Sequence, residues 1–184
     1  IAFITGATSG IGLATAELLA QQRFKLIICG RRKDRLESLS GQLSNSTEVF
    51  TLSFDDRDKA SVKNSIQGLP AEWKDIDVLI NNAGNAHGLA PIHEGSIDDW
   101  DAMMDINVKG LLYVTREISP WMVNKKSGHI INIGSIAGKE VYPNGNVYCG
   151  SKFAVDAITN GMRLDLNPHG VKVTGIHPGL VDTE

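Results

Sequence analysis

The stretch Ile1-Ala2-Phe3-Ile4-Thr5-Gly6-Ala7-Thr8-Ser9-Gly10-Ile11-Gly12 decides the fold. The apolar run Ile1–Thr5 breaks into a glycine turn, and helix-like apolar spacing begins at Ile11. Strand, glycine turn, helix is the opening unit of a dinucleotide-binding α/β fold. Glycines let the backbone turn tightly and approach a pyrophosphate, while the helix N-terminus offers free N–H groups and partial positive charge. The spacing is GxxxGxG rather than GxGxxG. Gly6, Thr8, Ser9, Gly10, Ile11 and Gly12 are the candidate cofactor contacts of this turn.

The rest of the chain continues the alternation. Lys25–Cys29, Glu48–Ser53, Asp77–Ile80, His129–Ile133 and Val171–Ile176 read as further strands, most of them near-continuous apolar runs suited to burial on both faces. Ile11–Gln22, Lys33–Leu43, Arg57–Gln67, Ile97–Val123 and Val147–Leu166 carry helical spacing, with Asp56 and Ser96 as N-caps of the third and fourth. This pattern predicts a Rossmann-type, doubly wound parallel sheet with helices on both faces and right-handed crossovers. No repeat, low-complexity tract or linker interrupts it, so residues 1–184 read as one domain. The loops Asn85–Gly95 and Lys139–Asn146 follow strands, and so belong to the carboxyl edge of the sheet, where such folds place ligands.

Composition narrows the function classes. With 184 residues, 42% hydrophobic and 21% charged, the chain is long enough for a real core and reads as globular. A formal charge of −3 argues against nucleic acid as a partner. Cys29 and Cys149 are too few for a disulfide framework and lie in no metal-binding spacing, so both read as small buried hydrophobes. His87, His93, His129, His169 and His177 share no spacing and read as structural or solvated, so no metal is expected. No apolar run approaches the roughly 20 residues that span a bilayer, and no charged leader precedes one, which points to the cytoplasm. Ile1 is not preceded by Met, and both ends read as limits of a longer chain.

The end of the second strand, Cys29-Gly30-Arg31-Arg32, sets the expected cofactor. A carboxylate there would bind a ribose 2′-OH and repel a 2′-phosphate. Two guanidinium groups at a helix start are unfavourable against the dipole unless an anion binds, and they suit phosphate. Arg31 and Arg32 therefore predict NADP(H) rather than NAD(H).

Tyr148-Cys149-Gly150-Ser151-Lys152 places a phenol and an ammonium one helical turn apart. A neighbouring positive charge favours the phenolate, the form that accepts a proton. Such a pair alone is common on helix surfaces; its weight comes from its company. Ser135, just past the fifth strand, can donate a hydrogen bond to a substrate oxygen as charge develops. Asn107 inside the long fourth helix has poor propensity and signals a polar contact. The amides Asn81-Asn82 at the end of a buried strand demand partners.

Taken in order, Thr5–Gly12, Asp55, Asn81–Gly84, Asn107, Ser135, Tyr148–Lys152 and Pro178-Gly179 resemble the short-chain dehydrogenase/reductase superfamily over essentially the whole chain. The resemblance implies a catalytic tetrad of Asn107, Ser135, Tyr148 and Lys152. Tyr148 is the implied acid/base, and Ser135 orients the carbonyl. Lys152 binds the nicotinamide ribose, and Asn107 holds a water in a proton relay. It also implies that Asp55 contacts the adenine ring, that Asn82, Ala83 and Gly84 line the adenosine ribose and nicotinamide side, and that Pro178, Gly179, Val181 and Thr183 hold the carboxamide.

Leu69–Trp73, Gly128–Gly138 and Tyr142–Tyr148 are similar to the NADP-dependent 3-hydroxy acid dehydrogenases, which oxidise serine, allo-threonine and related acids. A reductase of the same superfamily for 3-oxoacyl thioesters, sugars or quinones, and a non-catalytic NADP(H)-binding protein, are the competing readings. Gly150 and Asp56 depart from the usual pattern, which has Ala and an apolar residue there. The resemblance further implies a substrate lid and last strand beyond Glu184, absent from this chain, and a homotetramer or homodimer built through the helix Val147–Leu166 and the long fourth helix.

Overall fold

The computed structural model describes residues 1–182. They form one six-stranded parallel sheet in the order β3-β2-β1-β4-β5-β6. The strands are β1 Ala2–Ile4, β2 Leu26–Gly30, β3 Val49–Ser53, β4 Val78–Asn81, β5 Gly128–Ile133 and β6 Val171–Ile176. The helices are α1 Gly10–Gln21, α2 Lys33–Leu43, α3 Lys59–Gln67, α4 Ile97–Met104, α5 Leu111–Lys125 and α6 Asn146–Leu166. No helix among the described residues is long and apolar enough to cross a membrane.

Alternation along the central strands feeds two cores. Phe3, Ile27 and Cys29 face one side, packing with Val62 and Ile66 of α3, Val114, Ile118 and Met122 of α5, and Met162 of α6. Ala2, Ile4, Leu26 and Ile28 face the other, against Ala16 and Ala20 of α1 and Leu36 and Leu39 of α2. Burial on both faces is why these strands are apolar at nearly every position. Cys29 and Cys149 are buried free thiols, and burial pushes the Cys29 thiol well above its usual value, leaving it inert.

The chain turns back on itself between β1 and β4, where strand order reverses from leftward to rightward growth. A crevice opens there at the carboxyl ends of the strands. The amides predicted to need partners clamp it. Asn82 donates through Nδ2 to the carbonyls of Thr5 and Gly6 at 3.0 and 3.1 Å, and Thr5 Oγ1 accepts from the N–H groups of Asn82 and Ala83. Deeper in, Asn81 Nδ2 donates to Thr115 Oγ1 and Asn132 Oδ1, and Asn132 Nδ2 to Thr159 Oγ1, each at 2.9 Å.

Two expectations are corrected. The cap of α3 is Asp58, not Asp56, and the helix starts at Lys59, not Arg57. Asp58 Oδ1 accepts from the N–H groups of Ala60 and Ser61, whereas Asp56 is buried against Gly110 and cannot turn to the helix. The fourth helix is not continuous: α4 and α5 flank a π-helical segment, Asp105–Gly110. Ser96 does cap α4, accepting from Asp99 N–H at 3.3 Å.

Candidate active site

The glycine turn is built by close backbone approach. Gly6 adopts φ +61°, and a Cβ on it would lie 2.9 Å from Ala83 Cα. A Cβ on Gly12 would fall 2.3 Å from the Gly6 carbonyl oxygen and 2.4 Å from Asn82 Nδ2. The first neighbour is backbone and the second is an amide pinned by hydrogen bonds to the Thr5 and Gly6 carbonyls, so Gly12→Ala is expected to lower stability by about 1–3 kcal/mol, seen as a lower denaturant midpoint at unchanged m-value. Ser9 opens α1 in extended conformation with no side-chain cap bond and no acidic residue in the first turn, so the helix start keeps N–H groups for a ligand.

Around this turn lies a cavity of about 640 Å³. Gly6, Thr8, Ser9, Gly10 and Ile11 of the turn, Arg31 and Arg32 just past β2, and Asn82, Ala83 and Gly84 just past β4 line it. Ser135, Tyr148 and Lys152 stand with Pro178, Gly179 and Val181 on the β5–β6 side. Arg32 Nη2 donates to Thr8 Oγ1 and Ser9 Oγ at 3.3 and 3.4 Å, so its guanidinium already leans over the glycine turn.

Three predicted residues are placed differently, and a fourth is not among those described. Gly12 sits behind the turn rather than on the cavity wall, and Thr183 lies outside the described residues. Asp55 is not on the cavity wall: a fork from Arg57 holds it, with Nε–Oδ1 at 2.9 Å and Nη2–Oδ2 at 2.6 Å. That hydrogen bonding pulls its carboxyl below the usual range. The cavity is lined instead by the buried Asp56, whose carboxyl burial raises to about 6. Asn107 lies just beneath. Its Oδ1 accepts from Asn85 N–H at 2.8 Å, while Nδ2 donates to Asn85 O at 2.9 Å and Ser151 Oγ at 3.0 Å. The π-helical widening carries this amide to the loop after β4, and its N–H groups are spent holding that loop to α6.

Gly30, Ile133 and Gly134 also line the cavity unforeseen, although Ile133 ends a predicted strand and Gly30 and Gly134 each lie one residue past one, so they were legible from topology.

The chemistry-bearing groups have defined partners. Ser135 caps the 3-10 turn Ile136–Gly138, its Oγ accepting from Ala137 N–H at 3.1 Å. With that lone pair taken, the hydroxyl hydrogen remains free to donate. Lys152 is buried, donates to the Ile133 carbonyl at 3.1 Å, and sits 5.9 Å from the Tyr148 ring centroid. Burial lowers its ammonium from 10.5 to about 8. Because the folded value lies below the unfolded one, the unfolded chain binds more protons between pH 8 and 10.5, and stability rises across that window. The ammonium's burial costs about 3 kcal/mol below pH 8 in the cofactor-free protein. Lys152→Met is expected to be the more stable protein at pH 7, with the gap closing by pH 10 in urea titrations.

A second cavity of about 220 Å³ meets the first at Tyr148, which lines both. It is walled by the two loops predicted at the working edge. They are joined by Ala90 N–H donating to Asn144 O at 3.3 Å and Asn146 Nδ2 to Ala90 O at 3.1 Å.

A dinucleotide-sized crevice ending on a hydroxyl, a phenol and a buried ammonium defines an oxidoreductase acting on CH–OH groups. The comparisons with known proteins agree: residues 1–184 match the short chain dehydrogenase model, and the chain belongs to that family. It is 46% identical over 181 residues to the NADP-dependent 3-hydroxy acid dehydrogenase YdfG of Salmonella typhi, covering 98% of this chain and 72% of that one. It is 43% identical, over the same shares, to the serine 3-dehydrogenase of Rhizobium radiobacter. Among solved structures it is similar to the closed form of a serine dehydrogenase complexed with NADP+, at TM-score 0.94 and 44% identity, covering 100% of this chain and 73% of that one.

Proposed function

We propose that this chain is an NADP(H)-dependent dehydrogenase of small 3-hydroxy acids such as serine, allo-threonine or 3-hydroxypropionate. The observation that carries the reading is the joining of the two cavities at Tyr148: the larger suits a phosphorylated dinucleotide, the smaller a compact substrate whose hydroxyl meets the phenol. The fit to the cofactor rests on the side-chain-free approach at Gly6 and Gly12, the uncapped start of α1, and two arginines where a carboxylate would reject a 2′-phosphate. The relatives' names support the same class, one being called NADP-dependent and another a serine 3-dehydrogenase.

When bound, the nicotinamide supplies the hydride acceptor. The chain's own residues orient the substrate and manage its proton. Ser135 donates its free hydroxyl hydrogen to the substrate oxygen, and Tyr148 takes the hydroxyl proton in the oxidation direction. The Lys152 ammonium stands 5.9 Å from the ring centroid of that phenol. Being half-protonated near pH 8, Lys152 also holds or passes on a proton close to neutrality. Asn107 acts through position, locking the Asn85 loop to Ser151 one residue before Lys152.

We further assign the working form to the cytoplasm and to a homotetramer. Half-exposed Leu112 and Met104 beside the π-helical segment, and Phe153 on α6, are apolar where a lone protomer gains nothing from them. Light scattering on the full-length protein tests the assembly. The function is tested by a panel of serine, allo-threonine, 3-hydroxypropionate and simple secondary alcohols with NADP+ and NAD+. Turnover confined to the alcohols would remove the hydroxy-acid reading and leave the oxidoreductase one.

A further inference from the structure

The end of β6 carries an ionisable side chain that the chemistry above leaves unused. His177 directly follows the strand, and its ring lies in a slot walled by glycines. A Cβ on Gly134 would fall 2.7 Å from Nδ1, and one on Gly175 would fall 3.0 Å from Nε2. An oxygen stands at each ring nitrogen: the Ser135 carbonyl lies 3.3 Å from Nδ1, and Oδ1 of Asp156 on α6 lies 3.4 Å from Nε2. Both oxygens are acceptors only. A neutral imidazole offers one N–H and one lone pair, so it satisfies one oxygen and turns its lone pair on the other. The imidazolium donates to both. The charged groups at this ring are Asp156 from α6 and, from the turn after β5, Lys139, whose Nζ lies 2.7 Å from the same Asp156 oxygen.

Backbone bonds flank the ring on either side. Gly134 N–H donates to Ile176 O at 2.7 Å, and Ile136 N–H donates to Pro178 O at 3.0 Å. The ring therefore sits at the seam between the Ser135 turn and the Pro178-Gly179 segment, both of which line the larger cavity.

We propose that His177 is a positioning residue, bridging Asp156 to the Ser135 carbonyl and so fixing the Ser135 hydroxyl and the Pro178-Gly179 segment relative to one another. The ring holds the Ser135 carbonyl through Nδ1 and faces the Asp156 carboxylate through Nε2. The inference rests on Ser135 orienting the substrate oxygen, as read above.

The test uses the full-length protein with three variants, His177→Ala, His177→Asn and Asp156→Asn, and with Lys139→Met as a control for the second partner of Asp156. His177→Ala is expected to lower kcat about tenfold, since small misplacements of an orienting group are costly. His177→Asn keeps an N–H for the Ser135 carbonyl and does not titrate. Its kcat is expected to recover to within about threefold of the unmodified protein, and Asp156→Asn, which keeps the Ser135 contact, to lose less than His177→Ala. A His177→Asn protein no more active than His177→Ala, or a His177→Ala protein with unchanged kcat, overturns the proposal. A second readout needs no turnover: amide exchange at Gly134 and Ile136 in the cofactor-free protein is expected to speed several-fold in His177→Ala and to recover in His177→Asn. Unchanged exchange overturns the bridge. Faster exchange in a protein that oxidises none of the hydroxy acids upholds the bridge and sinks the substrate reading instead.

Discussion

Tyr148→Phe is expected to lower kcat by about 1000-fold, within the range that a positioned acid or base contributes. The ring stays, so the contact with the Lys152 ammonium 5.9 Å from its centroid and the packing of α6 are kept. Only the oxygen proposed to take the substrate proton is lost. Two consequences separate this from a folding defect. The denaturant midpoint should move little, since one phenolic oxygen on a cavity wall contributes little to the core. NADP+ affinity, read by quenching of intrinsic fluorescence, should stay within about threefold, because the glycine turn and arginines proposed to hold the dinucleotide are untouched. A Tyr148→Phe protein with turnover near that of the unmodified chain would defeat the proton-transfer scheme. Ser135→Ala should fall by less, because it removes one orienting donor and leaves the proton acceptor in place.

How far the sequence carries this reading depends on the range over which each feature is determined. The sheet was legible because strands covered on both faces must be apolar throughout, and Leu26–Cys29 and Ile130–Ile133 are nearly so. The Tyr148–Lys152 pair was legible because i and i+4 share a helix face whatever surrounds them. Features settled between distant segments were not legible. Asp55, Asp56 and Asp58 look equivalent in the sequence; the approach of Gly110 decides that Asp56 is buried, and the Arg57 fork decides that Asp55 is engaged. The break in the fourth helix was missed because nothing local demands it. The π-helical segment forms where Asn107 must reach Asn85 and Ser151, and the unusual Asn was the only local trace of that demand. His177 passed as an ordinary histidine because its partners, Asp156 and the Ser135 carbonyl, are brought to it by β5 and α6. The smaller cavity was foreseen only as two glycine- and proline-rich loops at the sheet edge.

The second large effect is expected at the cofactor's phosphate. Arg31→Asp combined with Arg32→Ala should reverse the preference for NADP+ over NAD+, changing the ratio of kcat/KM values by about 100- to 1000-fold. Each guanidinium–phosphate contact contributes about 1.5–3 kcal/mol as a charge-assisted hydrogen bond, and every 1.4 kcal/mol is a factor of ten. The two substitutions act differently. Arg32 already donates to Thr8 and Ser9 over the glycine turn, so its loss removes a group held where the proposed reading places the phosphate. An aspartate at position 31 places an anion at the end of β2, where it repels a 2′-phosphate and accepts from a 2′-hydroxyl. Most of the change should therefore fall on KM for NADP+, with kcat at saturating cofactor nearly preserved, since neither side chain lies near Tyr148 and Ser135. Because the effect is electrostatic, the advantage of NADP+ in the unmodified protein should also shrink as salt is raised, and that dependence should vanish in the double variant. A double variant that kept its cofactor preference and its salt dependence would place the phosphate elsewhere in the crevice.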